Sequence, residues 1–359
     1  MSDLQLSLLM IGAVVVGAVL IYNWVQERGF RRRLQQSFGA AHDDVLLKAG
    51  VDSTPGDGRL EPQLAASALA RGPEARGATA ETEEADAGFD ELLDYVAEIA
   101  AETTISETLV GQLVSRVSSC GKPARARGFD PQRGEWEDIL RGAGGRYTRL
   151  RAGLQIVNRA GPVSTAQLAT FCDAVGQCAE KIPAATAECP DPQAALKLAR
   201  DLDAFCATVD VAIGVNVVAP EGQPFAGTRI RAAAESVGFK LEPDGVFYFR
   251  GGGRQALFTL DNHEPAPFLP ESIKGLSTSG ITLLLDVPRV ANGSEVLARM
   301  LNVAENLASA IGGRLVDDNR ATLTDAGVSR IKEQLGSIQA AMTARDVPAG
   351  GTRALRLFS

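Results

Sequence analysis

Residues 255–287 place the tightest constraint on what this chain can fold into. Two stretches, 255–262 and 280–287, alternate apolar and polar side chains with a period of two, which is the period of a strand. Between them lies a loop punctuated by Pro265, Pro267 and Pro270. Phe258 and Leu260 fall on one face of the first strand, and Ile281, Leu283 and Leu285 on one face of the second. The opposite faces mix characters: Leu257, Thr259, Asp261 and His263 on one strand, Thr282, Leu284 and Asp286 on the other. The pattern predicts a sheet with one face under helices and the other presented to a partner.

The 359-residue chain is long enough for two domains with accessories. Its formal charge of −8 argues against nucleic-acid binding, which requires a basic footprint. The five cysteines, Cys120, Cys172, Cys178, Cys189 and Cys206, form no C-x-x-C pair and read as reduced, mostly buried thiols. With two histidines far apart, His42 and His263, neither zinc chemistry nor histidine catalysis is expected.

Residues 4–25 form an apolar span about one bilayer thick when helical, preceded by a three-residue external terminus. Tyr22 and Trp24 sit at its end, and Arg28, Arg31, Arg32 and Arg33 follow at once. The positive-inside rule then places the N-terminus outside and the rest of the chain in the cytoplasm. Residues 26–88 comprise this basic flank and a flexible linker rich in Ala, Gly, Pro and charge, with too little apolar surface to offset its ordering entropy.

Order resumes at Phe89. Strands are predicted over 92–101, 135–141 and 147–158, with helices over 106–118, capped by Ser106, and over 163–179 and 193–208. The pattern then restarts: a strand at 209–218, a helix at 228–236, strands at 245–250, 255–262 and 280–287, and a helix at 294–311 stopped by Gly312 and Gly313. Short strands at 314–318 and 321–323, a helix over 325–342 and a disordered tail at 341–359 complete the reading. The same β-α-β-β-α order occurs twice, in 89–208 and from 209 onward. The predicted class is therefore α+β: a transmembrane helix, a linker, and two tandem split β-α-β units with antiparallel sheets, related by diverged duplication.

Several short pieces of the second unit arrive in a telling order. They are Val215 to Val217, Gly238 and Phe239, residues 256–262, Pro267 and Phe268, residues 279–288, Met300 and Leu301, and residues 311–318. In this order, over residues 209–340, they resemble the C-terminal domain of the ZipA family of bacterial cell-division proteins. The apolar span, arginine flank and linker are similar to that family's layout, although the linker is short and the unit at 89–208 has no counterpart. The resemblance implies a single-pass protein of the bacterial inner membrane that tethers the division GTPase FtsZ. It implies that the C-terminal peptide of FtsZ binds an apolar hollow on the open sheet face. The matching positions are Val215, Val217, Phe247, His263 and Leu284, with Phe249, Asp261, Thr282 and Asp286 as neighbours. Other division proteins are further candidate partners.

For strand 209–218 the two lines of reasoning diverge. Alternation alone puts Val209, Val211, Ile213, Val215 and Val217 in a core; the resemblance puts Val215 and Val217 on the open face.

Competing chemistry is weak. Residues 251–253 are a glycine turn without the lysine and helix of a phosphate-binding loop. Residues 122–127 are basic but lack the aromatic signature of base-stacking modules. Asp317 and Asp318, adjacent on a strand, point to opposite faces and make no metal pair. No activated nucleophile accompanies His263. No enzyme activity, cofactor or metal is expected. The alternative function is a membrane-anchored scaffold that binds a different protein, through the first α/β unit.

Overall fold

The computed structural model describes residues 88–139, 146–317 and 321–359. Residues from Ala87 to Ser359 form one compact unit that contains two large sheets and two small two-stranded ones. The apolar span 4–25, its flank Trp24, Arg28, Arg31, Arg32 and Arg33, and the linker lie outside the described residues. Among the described residues no helix is long and apolar enough to cross a membrane.

The first sheet is built from β1 (Asp94–Ala100), β2 (Ala124–Asp130), β3 (Glu135–Asp138), β4 (Arg149–Gln155) and β5 (Thr186–Glu188), in the order β3-β2-β4-β1-β5. Every pairing is antiparallel. Helices α1 (Glu107–Ser118) and α2 (Thr165–Ala179) cover one face. That face is apolar because Tyr95, Ala97 and Ile99 occupy alternate positions of β1, and Leu150, Ala152 and Leu154 alternate positions of β4.

Local chemistry fixes the helix starts. Ser164 and Gln167 form a reciprocal capping box on α2, with hydrogen bonds of 3.2 and 2.9 Å. Asp191 accepts from the Gln193 and Ala194 amides to open α3 (Pro192–Val209), whose first residue is a proline that has no amide hydrogen to satisfy. Ser106 occupies the cap position of α1 but makes no side-chain capping bond, contrary to expectation.

The second sheet comprises β6 (Ala212–Val218), β7 (Phe239–Leu241), β8 (Phe247–Phe249), β9 (Phe258–Asn262), β10 (Gly280–Asp286) and β11 (Arg314–Val316). Its order is β7-β8-β9-β10-β6-β11, again antiparallel throughout. Helices α4 (Gly227–Ser236) and α5 (Gly293–Ile311) pack on each other beside this sheet. Gly312 ends α5 in the left-handed conformation, at φ 72°, where a side chain would be strained.

The two sheets share an arrangement. In each, the opening strand lies between the strand before the second helix and the strand after it, as in a split β-α-β fold. They differ at the far edge. In the first unit β2 follows the helix and pairs directly with β4. In the second, β8 and β9 intervene between β7 and β10.

The structure departs from the sequence reading in three places. The basic stretch at 122–127 runs into a strand, Ala124–Asp130, at the interior of the first sheet. The strand expected over 245–250 is confined to Phe247–Phe249, and Gly245 lies outside it. It sits in a turn at φ 83°, its carbonyl accepting from Phe268 at 2.9 Å, with Pro267 too close for a side chain. The tail beyond 341 is ordered. Helix α6 (Asp325–Ala344) passes over α5 and α3, and the chain continues into α7 (Thr352–Leu357). Val347, Ala354, Leu357 and Phe358 are buried in the first unit's core, which stabilises a segment that has little helical pattern of its own.

Candidate functional site

The register of the second sheet decides which side chains face away from its helices. Across β10, Thr282 pairs with Asn216 and Asp261, and Leu284 with Gly214 and Thr259. Tyr248 opposite Thr259, and Lys240 opposite Tyr248, extend the same face. The alternate residues, Ile213, Val215, Val217, Phe247, Phe249, Phe258, Leu260, Ile281, Leu283 and Leu285, form the core.

The predicted site residues therefore divide. Asp261, Thr282, Leu284 and Asp286 fall on the helix-free face, all half-buried, and His263 is exposed at its end. Val215, Val217, Phe247 and Phe249 do not. They are 0–4 % exposed among the core side chains, so the open-face positions transferred from the resemblance are overturned for these four. The physical reason is the strand period. Val215 and Val217 pair with Leu283 and Ile281, and a side chain cannot share a face with a core neighbour while pointing away from it. Phe249 stacks on Phe258 at 4.5 Å with the planes 7° apart, and Phe247 meets Phe268 edge-on at 5.4 Å.

Tyr248 is the residue that the resemblance passed over. With Phe247 and Phe249 inward, alternation turns it outward, a signal present in the sequence once the inward pair is assigned. Its hydroxyl donates to Asp244 at 2.6 Å. Burial and that carboxylate push the phenol up to about 12.

Leu284 is the apolar centre of the face. Its lateral neighbours across the sheet are Gly214 and Thr259. Asp261 sets the electrostatics. Burial raises its pKa above the ordinary carboxylate range, against the lowering effect of the Thr259 hydroxyl at 3.1 Å. Asp286, expected as a neighbour of the open-face positions, is engaged. Arg159 of the first unit grips it with two bonds of 2.7 Å and also binds Asp210. At the other end, His263 Nδ1 lies 3.4 Å from the Thr282 hydroxyl. A cleft of about 320 Å³ opens there among His263, Ser279, Arg314 and the 218–224 turn.

Residues 211–334 match the family model described as the ZipA, C-terminal FtsZ-binding domain. The second unit resembles the ZipA family. The "Cell division protein ZipA" of Marinobacter nauticus is 27% identical over 126 residues, which is 34% of this chain and 37% of that protein. The protein of the same name from Actinobacillus pleuropneumoniae is 31% identical over 109 residues, 29% of this chain and 32% of the relative. The Ectopseudomonas mendocina ZipA is 26% identical over 148 residues, covering 40% and 54%. The match thus spans from a third to about half of each ZipA relative, and the unit that contains β1–β5 lies outside the matched family domain.

Among the described residues no group of three or more His, Cys, Asp or Glu side chains is placed to hold a metal ion. All five cysteines are free thiols, with Cys120, Cys178 and Cys206 buried and Cys172 and Cys189 half-buried.

Proposed function

We propose that this protein is a membrane-tethered, non-enzymatic cell-division adaptor whose ZipA-like unit binds the C-terminal peptide of FtsZ. The observation that carries the reading is a helix-free sheet face, centred on Leu284, within the segment that matches the ZipA FtsZ-binding domain. The binding surface comprises Tyr248, Thr259, Asp261, Thr282 and Leu284, with His263 at its margin. Val215, Val217, Phe247 and Phe249 support that surface from behind as core. Asp286 contributes by fixing the sheet's end to Arg159.

A peptide laid on this face would place an apolar side chain on each side of Leu284. Burying each such contact contributes about 1.5–3 kcal/mol before ordering costs. Asp261 at neutral pH favours a basic residue on the ligand and disfavours an acidic one. The span at 4–25, with its arginine flank, holds the adaptor in the inner membrane with the bulk of the chain cytoplasmic, and the linker sets its reach. Diverged duplication explains the two split β-α-β units.

The test is titration of a fluorescent FtsZ tail peptide into residues 87–359 and into its Leu284→Asp variant. Weakening by about tenfold or more is expected from losing one buried apolar contact. The reading fails if the wild-type protein does not bind the peptide.

A further inference from the structure

The first sheet has a helix-free face of very different chemistry. Helices α1 and α2 pack on each other beside β1, β2 and β4, and the residues of β2, β3 and β4 that alternate away from them include a basic and aromatic group. Arg125, Arg127 and Phe129 come from β2, Arg149 and Arg151 from β4, and Trp136 from β3. Pairing of Arg127 with Arg151, and of Phe129 with both Arg149 and Trp136, brings them into one patch.

The patch is built, not incidental. Arg151 and Arg149 lie over the Trp136 ring at 4.7 and 5.4 Å, and Arg125 over Phe89 at 4.8 Å. Phe89 in turn rests on Gly153, where any Cβ would come within 2.4 Å of the ring. Glu98 bonds Arg149 and Arg151 at 2.7 and 2.8 Å, and Asp138 lies 3.0 Å from Arg127. These contacts hold the guanidinium planes in fixed orientations. Stacking on an aromatic ring uses the flat face of a guanidinium and leaves its N–H edge available in plane, the direction from which a carboxylate binds bidentately. The side chains of Arg125 and Arg149 are 44% and 37% exposed; Arg125 spends an Nη2 hydrogen on Asp94 at 3.0 Å and Arg149 spends Nε and Nη2 on Glu98, so a ligand would meet the remaining N–H groups of each fork.

We propose that this face is a second docking surface, which binds an acidic linear peptide of a partner protein through Arg125 and Arg149. Charge complementarity selects the occupant. Four arginines of β2 and β4 face three carboxylates, Asp138 on β3 and Asp94 and Glu98 on β1, which leaves a positive excess in a chain whose formal charge is −8. A single-stranded nucleic acid also carries anions but needs free aromatic faces on which to stack bases. Here arginines lie over Trp136 and Phe89, and Phe89 is also seated on Gly153. The surface is independent of the FtsZ reading, because it lies on the other sheet.

The experiment uses the full chain in detergent micelles and a fluorescein-labelled peptide rich in Glu, with labelled oligodeoxythymidylate as the second probe. Saturable binding of the acidic peptide is expected, falling about tenfold with Arg125→Gln or Arg149→Gln, since each removes a charge-assisted bond. Arg149→Lys keeps the charge without the planar fork and is expected to lose part of the affinity, so the result stands even if a glutamine variant misfolds. Arg133→Gln, on the turn before β3, and Leu284→Asp, on the other sheet, are expected to bind the peptide as the wild type does. The proposal is overturned by absent peptide binding, by equal affinity in the Arg125 and Arg149 variants, or by tighter binding of the oligonucleotide.

Discussion

Replacing Arg356 with alanine is expected to destabilise residues 87–359 far more than its position near the end of the chain suggests. Its guanidinium binds both carboxylate oxygens of Asp94, one at 3.1 Å and the other in a shorter bond, and its Nε donates to Gln155 Oε1 at 3.3 Å. The Asp94 side chain is only 1% exposed. Gln155 returns a bond to the Arg356 carbonyl at 2.9 Å. Beside it, Leu357 and Phe358 are each 1% exposed, and the Phe358 carbonyl accepts from Arg289 of the second unit at 2.8 Å. The tail thus closes the first unit's core and ties it to the second sheet.

Removing one partner of a fully buried ion pair costs about 3–5 kcal/mol, because the remaining charge is left uncompensated. Asp94 would keep Arg125, at 3.0 Å but 44% exposed, so the expected loss is about 2–3 kcal/mol. Urea denaturation of the two proteins measures it as a lower midpoint at unchanged slope. If the uncompensated carboxylate is the cause, adding Asp94→Asn to Arg356→Ala recovers part of the loss, since the charge is then gone. An Arg356→Ala midpoint within error of wild type, or an Asp94→Asn addition that destabilises further, would refute the reasoning.

Two smaller predictions follow from the capping and the charges. Ser164→Ala removes half of the α2 capping box and should cost about 1 kcal/mol by denaturant titration. Asp261 is raised by burial, so the folded state holds its proton more tightly than the unfolded state does. Its ionised form therefore destabilises the fold, and this penalty appears as pH rises from the unfolded pKa through the folded one. Asp261→Asn should melt higher than wild type at pH 7, and the difference should vanish in acid, below the unfolded pKa. A melting difference that grows in acid would contradict that sign.

Much of the fold could be read from strand alternation. Phe258, Leu260, Ile281, Leu283 and Leu285 are core as the pattern predicts, and all are 2% exposed or less. On β6 the residue pattern and the family resemblance disagreed about Val215 and Val217, and the pattern was the better guide. A period of two is enforced by sterics and by pairing with β10, whereas transferring positions by resemblance depends on an alignment that can slip by one residue and reverse the face.

Strand β2 was missed because its inward residues, Ala124, Ala126 and Gly128, are too small to register as an apolar stripe. Gly128 is small for a reason visible only in three dimensions: the Tyr147 ring lies where its Cβ would be, at 2.4 Å. The ordered tail and the Arg159 clasp were illegible for a different reason. Arg356 finds Asp94 262 positions away, and Arg159 finds Asp286 127 positions away, separations that leave no local pattern.

The most direct test of the proposed adaptor compares two substitutions in residues 87–359 by isothermal titration with an FtsZ tail peptide. Leu284→Asp places a charge on the helix-free face, and Val217→Ala removes two methyl groups from the core behind it. The account predicts that Leu284→Asp leaves the melting temperature nearly unchanged and weakens the peptide by about tenfold or more. It predicts that Val217→Ala lowers the melting temperature while the folded protein binds the peptide almost as the wild type does. Full affinity in Leu284→Asp, with loss of binding in a folded Val217→Ala protein, would contradict it.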